Sequence, residues 1–278
     1  MTGILVVGAT GTVGQGVAEG LAKQGTTVFA ATRDQRQYDG PGTPRHLDLS
    51  DSSTFPAALE GVSTVFQVSP GGHADAYGLL EPFIRAMPEH NVSRVIAMTA
   101  QGVEVSDDIP LRRVELAIEA SGLRWAHLRP TWFSQNFQSY WGEPLKHGVI
   151  PLPAGDSRTA FLDTRDISNA ALAVLNDDSR DGTAWELTGP EALTYEDAAR
   201  VLSEATGRTI RYQNVSDDEF RTQLLGAGMA DDYVGLLLNL FAAVRAGGAS
   251  AVLDTVQTLT GNPPRTLRQY ASDHREVL

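Results

Sequence analysis

The chain has no cysteine, which excludes disulfides, a thiolate nucleophile and any Cys-ligated zinc site. Lysine is nearly as scarce, since Lys23 and Lys146 are the only two among 278 residues. Basic residues as a whole are outnumbered, 22 against 34 carboxylates, for a formal net charge of −12. A chain that acidic repels phosphate backbones, and no Lys/Arg block offsets it, so nucleic acid is not an expected partner. Long apolar runs are missing too. The longest, around residues 234–244, is interrupted by Asn239 and is far shorter than the ~20 residues a bilayer requires, so no membrane role is expected. The N-terminus enters an apolar run within three residues, with no basic segment ahead of it. That is unlike a secretory signal, and the expectation is a soluble, cytoplasmic protein.

What is present is ordinary globular composition, 42% hydrophobic and 20% charged, which supports a sizeable core. The length suits one large α/β domain or a domain plus a lobe. Strand-like runs at 3–7, 27–31, 45–47, 64–68, 95–98 and 125–128 alternate with helical patterns at 13–24, 55–59, 76–87 and 111–121. Right-handed crossovers between successive strands then make a doubly wound parallel sheet, Rossmann-like, the expected α/β fold. Past Pro130 the loops lengthen and prolines gather at 144, 151 and 153. Residues 161–162, a helix to Leu175 with Asp166 as its N-cap, and a strand at 184–187 predict a return to the sheet over about 160–188. Thr194 predicts an N-cap, with Asp197 as its capping-box partner and Gly207 as the stop.

Between the first strand and helix stands Gly8-Ala9-Thr10-Gly11-Thr12-Val13-Gly14. A strand delivered straight into a helix N-terminus makes an anion site, because unpaired N–H groups and the helix dipole point at the ligand. Gly8 permits the tight turn, Gly11 the approach of a pyrophosphate, and Gly14 the close packing of helix on strand. The second strand leads through Ala31-Thr32 into Arg33. An arginine there can face a 2′-phosphate, where a carboxylate would bind a ribose 2′-hydroxyl. The expected cofactor is therefore NADPH, with NADH secondary because Asp34 adjoins. Residues 1–150 read as the dinucleotide-binding domain and 189–278 as a smaller, mainly helical lobe that covers the substrate.

The G-x-x-G-x-x-G spacing resembles the short-chain dehydrogenase/reductase superfamily, and its atypical NmrA-like branch in particular. Asp48-Leu49, Ser121-Gly122-Leu123, Leu128-Arg129-Pro130-Thr131-Trp132-Phe133 and Gly189-Pro190-Glu191-Ala192-Leu193-Thr194 extend the likeness over nearly the whole chain. It implies that Thr10, Thr12 and Val13 join the glycines around the cofactor. It also implies that Asp48 and Leu49 border the adenine, and that Gln67, Val68, Ser69 and Pro70 run along the dinucleotide.

The superfamily's usual proton donor is a Tyr helped by a Lys four residues later. Glu19 stands four before Lys23 and Gly142 four before Lys146, so no Tyr-x-x-x-Lys exists here. By register with the family, the Lys position is Leu111 and the serine position falls at Gln101. The histidines show no paired-ligand spacing, and no metal is implied.

Residues 130–141 hold Trp132, Phe133, Phe137, Tyr140 and Trp141, five aromatics where the chain-wide 7% predicts one. Flat apolar walls suit a polycyclic substrate. Residues 133, 137, 140 and 141 also share one helical face, the pattern of an anchor for the second lobe. Ser134, Gln135 and Asn136, with Thr99 and Gln101, are candidates for positioning the substrate rather than for donating a proton; the catalytic acid is not identified. The aromatic block and the missing Tyr/Lys pair are similar to atypical ketoreductases that tailor aromatic polyketides, of the simocyclinone-type angucyclinone kind. The implied activity is NADPH-dependent reduction of a carbonyl on a polycyclic aromatic secondary metabolite, in antibiotic biosynthesis. Iminium reduction, as in ergot alkaloid pathways, and quinone reduction are the enzymatic alternatives. A non-catalytic NADP(H) redox sensor is the other.

Overall fold

Strands covered on both faces carry unbroken apolar runs, and β1 (Gly3–Val7) is one, with Leu5 and Val6 wholly buried. The computed structural model describes residues 2–278. From β1 the chain continues through α1 (Thr12–Lys23), β2 (Val28–Thr32), β3 (Thr43–His46), α2 (Phe55–Leu59) and β4 (Val62–Val68). Next come α3 (Ala76–Glu89), β5 (Arg94–Met98), α4 (Pro110–Ala120), β6 (Arg124–Pro130), α5 (Gly142–Lys146), β7 (Val149–Leu152) and β8 (Arg158–Thr159). Then follow α6 (Thr164–Leu175), β9 (Thr183–Leu187), β10 (Leu193–Thr194), α7 (Tyr195–Thr206) and β11 (Arg211–Asn214). The last four helices are α8 (Asp217–Gly226), α9 (Asp231–Arg245), α10 (Thr255–Thr260) and α11 (Leu267–Asp273).

The main sheet has seven strands in the order β3-β2-β1-β4-β5-β6-β9. Pairing is parallel between β1 and β2, β2 and β3, β1 and β4, β4 and β5, and β5 and β6. The fold is thus the doubly wound α/β sheet that the sequence implies. Strand order reverses between β1 and β4, which opens a crevice at their carboxyl ends.

The chain divides into two compact units, residues 2–129 with 167–186, and residues 130–166 with 187–278. The first boundary falls at 129 instead of the expected 150. After β6 the backbone bonds within the second unit, Thr131 N–H to the Leu187 carbonyl and Ser134 N–H to the Leu162 carbonyl, each at 2.9 Å. The first unit's core packs Leu5, Val7 and Val65 with Leu80, Phe83 and Ile84 of α3; side chains of this size contribute roughly 1.5–3 kcal/mol each when fully buried. The second unit's core gathers Phe137, Trp141, Phe161, Tyr195 and Phe241.

Asp166 is not the cap of α6. Asp163, just ahead of the helix, accepts the Arg165 N–H at 2.8 Å, while Asp166 lies in the first turn and accepts the Arg265 N–H at 2.7 Å. Burial holds the Asp166 carboxyl above its ordinary value, and the Arg265 guanidinium lies against it. Thr194 and Asp197 do form the capping box, and Gly207 ends α7 in the left-handed region at φ 70°. No helix among the described residues is long and apolar enough to cross a membrane.

Candidate functional site

The site begins where β1 turns into α1. Gly8 adopts φ +83°, a conformation that suits glycine and few other residues. Gly14 is required for a different reason, since a Cβ there would lie 2.1 Å from the Gly8 carbonyl oxygen. Gly11 caps α1 with no side-chain hydrogen bond, and the first turn carries no acidic residue. The helix N-terminus is therefore left with unsatisfied N–H donors and no competing anion, which is what a phosphate binds.

Around that turn lies a cleft of about 440 Å³ in the first unit, at the β1/β4 switch point. Nine of the sequence-predicted cofactor residues line it: Gly8, Thr10, Gly11, Arg33, Asp48, Leu49, Val68, Ser69 and Pro70. Thr12, Val13, Gly14 and Gln67 do not. Val13 and Gly14 are buried in α1 packing. Gln67 is 1% exposed at the end of β4, and its Oε1 has no hydrogen-bond partner. The lining also includes Gly71, His73 and Leu79, which the sequence reading left out of the cofactor set. For His73 the signal is the glycine pair ahead of it, Gly71-Gly72, in the loop that follows β4.

Arg33 and Asp34 separate cleanly. The Asp34 carboxylate caps the short turn that follows, accepting from Arg36 N–H at 3.0 Å and Gln37 Nε2 at 2.9 Å. Both of its carboxylate oxygens are thereby engaged within the turn. The Arg33 side chain is exposed in the cleft and makes no ion pair among the described residues. Asp48 is held below the usual carboxylate range, first by the Ser50 hydroxyl and then by the Ser50 N–H. The donors, the bare helix terminus and the free guanidinium together fit a dinucleotide with a 2′-phosphate.

One turn beyond Leu111 in α4 lies a buried ionic network. Glu115 of α4 is wholly buried and accepts from Arg129 Nε at 2.9 Å and Nη2 at 2.7 Å, from Arg112 Nη1 at 2.8 Å, and from the Thr99 hydroxyl at 2.7 Å. Burial alone would raise its pKa, but these bonds bring it below the ordinary value. The Thr99 hydroxyl is consequently committed to a carboxylate. Gln101 reaches Glu186 at 3.5 Å. His127, fully buried and stacked on Trp125 with centroids 4.5 Å apart, is pushed down to about 4, chiefly by burial. Glu115, Glu119 and His127 place ligand-type atoms within 4.8 Å of one another. Arg112 Nη1 bridges the two carboxylates at 2.8 and 2.9 Å, however, so a guanidinium already fills the place of a cation.

In the second unit the aromatic segment is not one helix but a 3₁₀ turn, Ser134–Phe137, followed by α5. Phe137 and Trp141 are core residues, 0% and 6% exposed, in contact with Phe161 and Tyr195. This burial is what the anchor reading expects of them. Trp132 and Phe133 are half-buried, and Tyr140 is 49% exposed. Ser134 is buried and Asn136 half-buried. Gln135 is spent on structure, bonding Asp163 at 3.1 Å and the Thr164 N–H at 3.0 Å.

The NmrA-like family model matches residues 2–254. A "(4-alkanoyl-5-oxo-2,5-dihydrofuran-3-yl)methyl phosphate reductase" of Streptomyces griseus is 32% identical, with 99% of this chain and 98% of that protein covered. An NAD(P)H azoreductase of Xenophilus azovorans is 30% identical, covering 98% of this chain and 97% of its own. Among solved structures, the NADPH-dependent quinone oxidoreductase of Escherichia coli in complex with NADPH superimposes with a TM-score of 0.84 at 27% identity. That match covers 97% of this chain and 99% of the other.

Proposed function

The chain belongs to the NmrA-like family and is an NAD(P)H-dependent oxidoreductase, and on that premise we propose that it uses NADPH to reduce a carbonyl of a flat, polycyclic aromatic compound of the polyketide type. Bound NADPH supplies the hydride. The α1 N-terminus and the Gly8–Gly11 turn hold the pyrophosphate, Arg33 holds the 2′-phosphate, and Asp48 and Leu49 border the adenine. The observation that carries the reading is the pairing of this cleft with an α4 that has Leu111 in the lysine position and a Thr99 hydroxyl already bonded to Glu115.

Hydride arrival puts negative charge on the carbonyl oxygen, and something must neutralise it. A substrate whose carbonyl has a neighbouring hydroxyl lends that proton to the new alkoxide through an internal hydrogen bond that polarises the C=O, and the oxyanion left behind regains a proton from water. Hydroxylated aromatic ketones and quinones meet that requirement, and orientation then supplies much of the acceleration. Of the candidates for positioning, Gln101 belongs to the first unit, and Ser134 and Asn136 to the second. Quinone reduction is the neighbouring alternative, favoured by the quinone oxidoreductase among the relatives.

The test is NADPH oxidation by purified protein against hydroxylated polycyclic ketones, their O-methylated forms and simple quinones. Turnover that falls steeply on methylation, with Gln101→Ala and Ser134→Ala keeping kcat within about tenfold, supports the reading. Silence across the panel, or abolition of kcat by one of these substitutions while ligands still bind, overturns it.

A further inference from the structure

Two phenols of the second unit meet at its surface. Tyr140 Oη lies 3.4 Å from Tyr233 Oη, and Tyr140 is among the few large hydrophobic side chains left open, at 49% exposure. Tyr233 belongs to α9, and Tyr233, Leu237 and Phe241 recur every four residues and so share one stripe of that helix. Rings of the aromatic segment lie along the same stripe. Trp132 packs on Phe241 with centroids 4.9 Å apart, and Tyr140 meets Tyr233 at the other end. The result is an aromatic strip, buried at Phe241 and open at Tyr140, with two hydroxyls at the open end.

A separation of 3.4 Å is long for O–H···O, whose usual range is roughly 2.5–3.0 Å. Such a link is weak, and replacing it costs little. In any hydroxyl pair one proton is shared and the other is left over, so at least one donor is available to a third oxygen. If the shared proton also turns outward, both phenols can donate to the two lone pairs of one carbonyl. Tyr140 remains a neutral donor at physiological pH, since burial first and Tyr233 second push its pKa up to about 12.

We infer that Tyr140 and Tyr233 form a two-donor clamp for a carbonyl oxygen of a flat aromatic ligand, with the half-buried rings of the strip carrying its face. This rests on the reading that the substrate is a polycyclic aromatic carbonyl compound, and it adds Tyr233 as a residue that touches it. The clamp binds and orients; it does not supply the proton.

The test uses the full chain saturated with NADP⁺, so that no hydride transfer occurs, and two probes of similar shape, anthraquinone-2-sulfonate and anthracene-2-sulfonate. Both carry the sulfonate, so the difference in their dissociation constants reports the carbonyl oxygens. Wild type should prefer the quinone about tenfold, each of Tyr140→Phe and Tyr233→Phe should reduce this to about threefold, and the double variant to near unity. Affinity for anthracene-2-sulfonate and for NADP⁺ should stay within about twofold throughout, because the rings are kept. An unchanged preference in the double variant, equal weakening of both probes, or no binding of either overturns the clamp. The preference intact in wild type and lost in the double variant, without any NADPH oxidation across the ketone and quinone panel, supports the clamp and rejects the reductase reading alone.

Discussion

Arg129 grips Glu115 through two parallel hydrogen bonds, Nε to Oε1 at 2.9 Å and Nη2 to Oε2 at 2.7 Å. The pair ties the end of β6 to α4 and, through the Thr99 hydroxyl, to the residue that follows β5. Removing one partner of a buried pair leaves the other uncompensated. Glu115→Ala should therefore cost about 3–5 kcal/mol in chemical denaturation, since it strands both Arg129 and Arg112. A loss below about 1 kcal/mol would show that the network is solvated.

Arg33 makes no ion pair among the described residues and lines the cleft, so its cost on removal should appear in cofactor choice rather than in stability. Arg33→Ala should weaken NADPH binding by about 10- to 100-fold, the scale of a hydrogen bond to a charged group, and leave NADH nearly unchanged. Titration of both nucleotides against wild type and variant reads this directly. Equal NADPH and NADH affinities in the wild type would remove the 2′-phosphate role.

Gly14→Ala should damage the loop without touching the ligand. Its Cβ would lie 2.1 Å from a backbone oxygen, which no rotamer change relieves. Overpacking of this kind costs about 1–3 kcal/mol, and the displaced Gly8 turn should raise the Kd for NADPH at least about tenfold. A variant with native stability and affinity would mean that the turn has room to shift.

His127 predicts an acid-side slope in stability. Its folded pKa is lowered from 6.5 to about 4. Between those values the unfolded chain takes up a proton that the folded chain refuses, so stability falls as pH falls through that window. The contribution is on the order of 3 kcal/mol, complete above pH ~6.5 and lost by pH ~4. His127→Phe keeps a ring on Trp125 and should flatten this part of the profile in urea melts at a series of pH values. An unchanged slope would assign it to the carboxylates.

Read alone, the sequence determined the alternation of strands and helices, the glycine turn with Arg33, the α7 capping box and the absence of a Tyr/Lys pair. Each of these is a local matter: a periodicity, a φ requirement, a residue type at a short spacing. What the aromatic segment does was not local. Five aromatics in twelve residues are compatible with a wall or an anchor, and only packing buries Phe137 and Trp141 among Phe161, Tyr195 and Phe241 while leaving Tyr140 open. The same holds for Asp166, whose partner Arg265 is 99 residues away, and for Tyr233, 93 residues from Tyr140. The division at 129 follows from which carbonyls Thr131 and Ser134 reach. Contacts across such separations depend on where whole elements pack, and only the folded chain brings those side chains together.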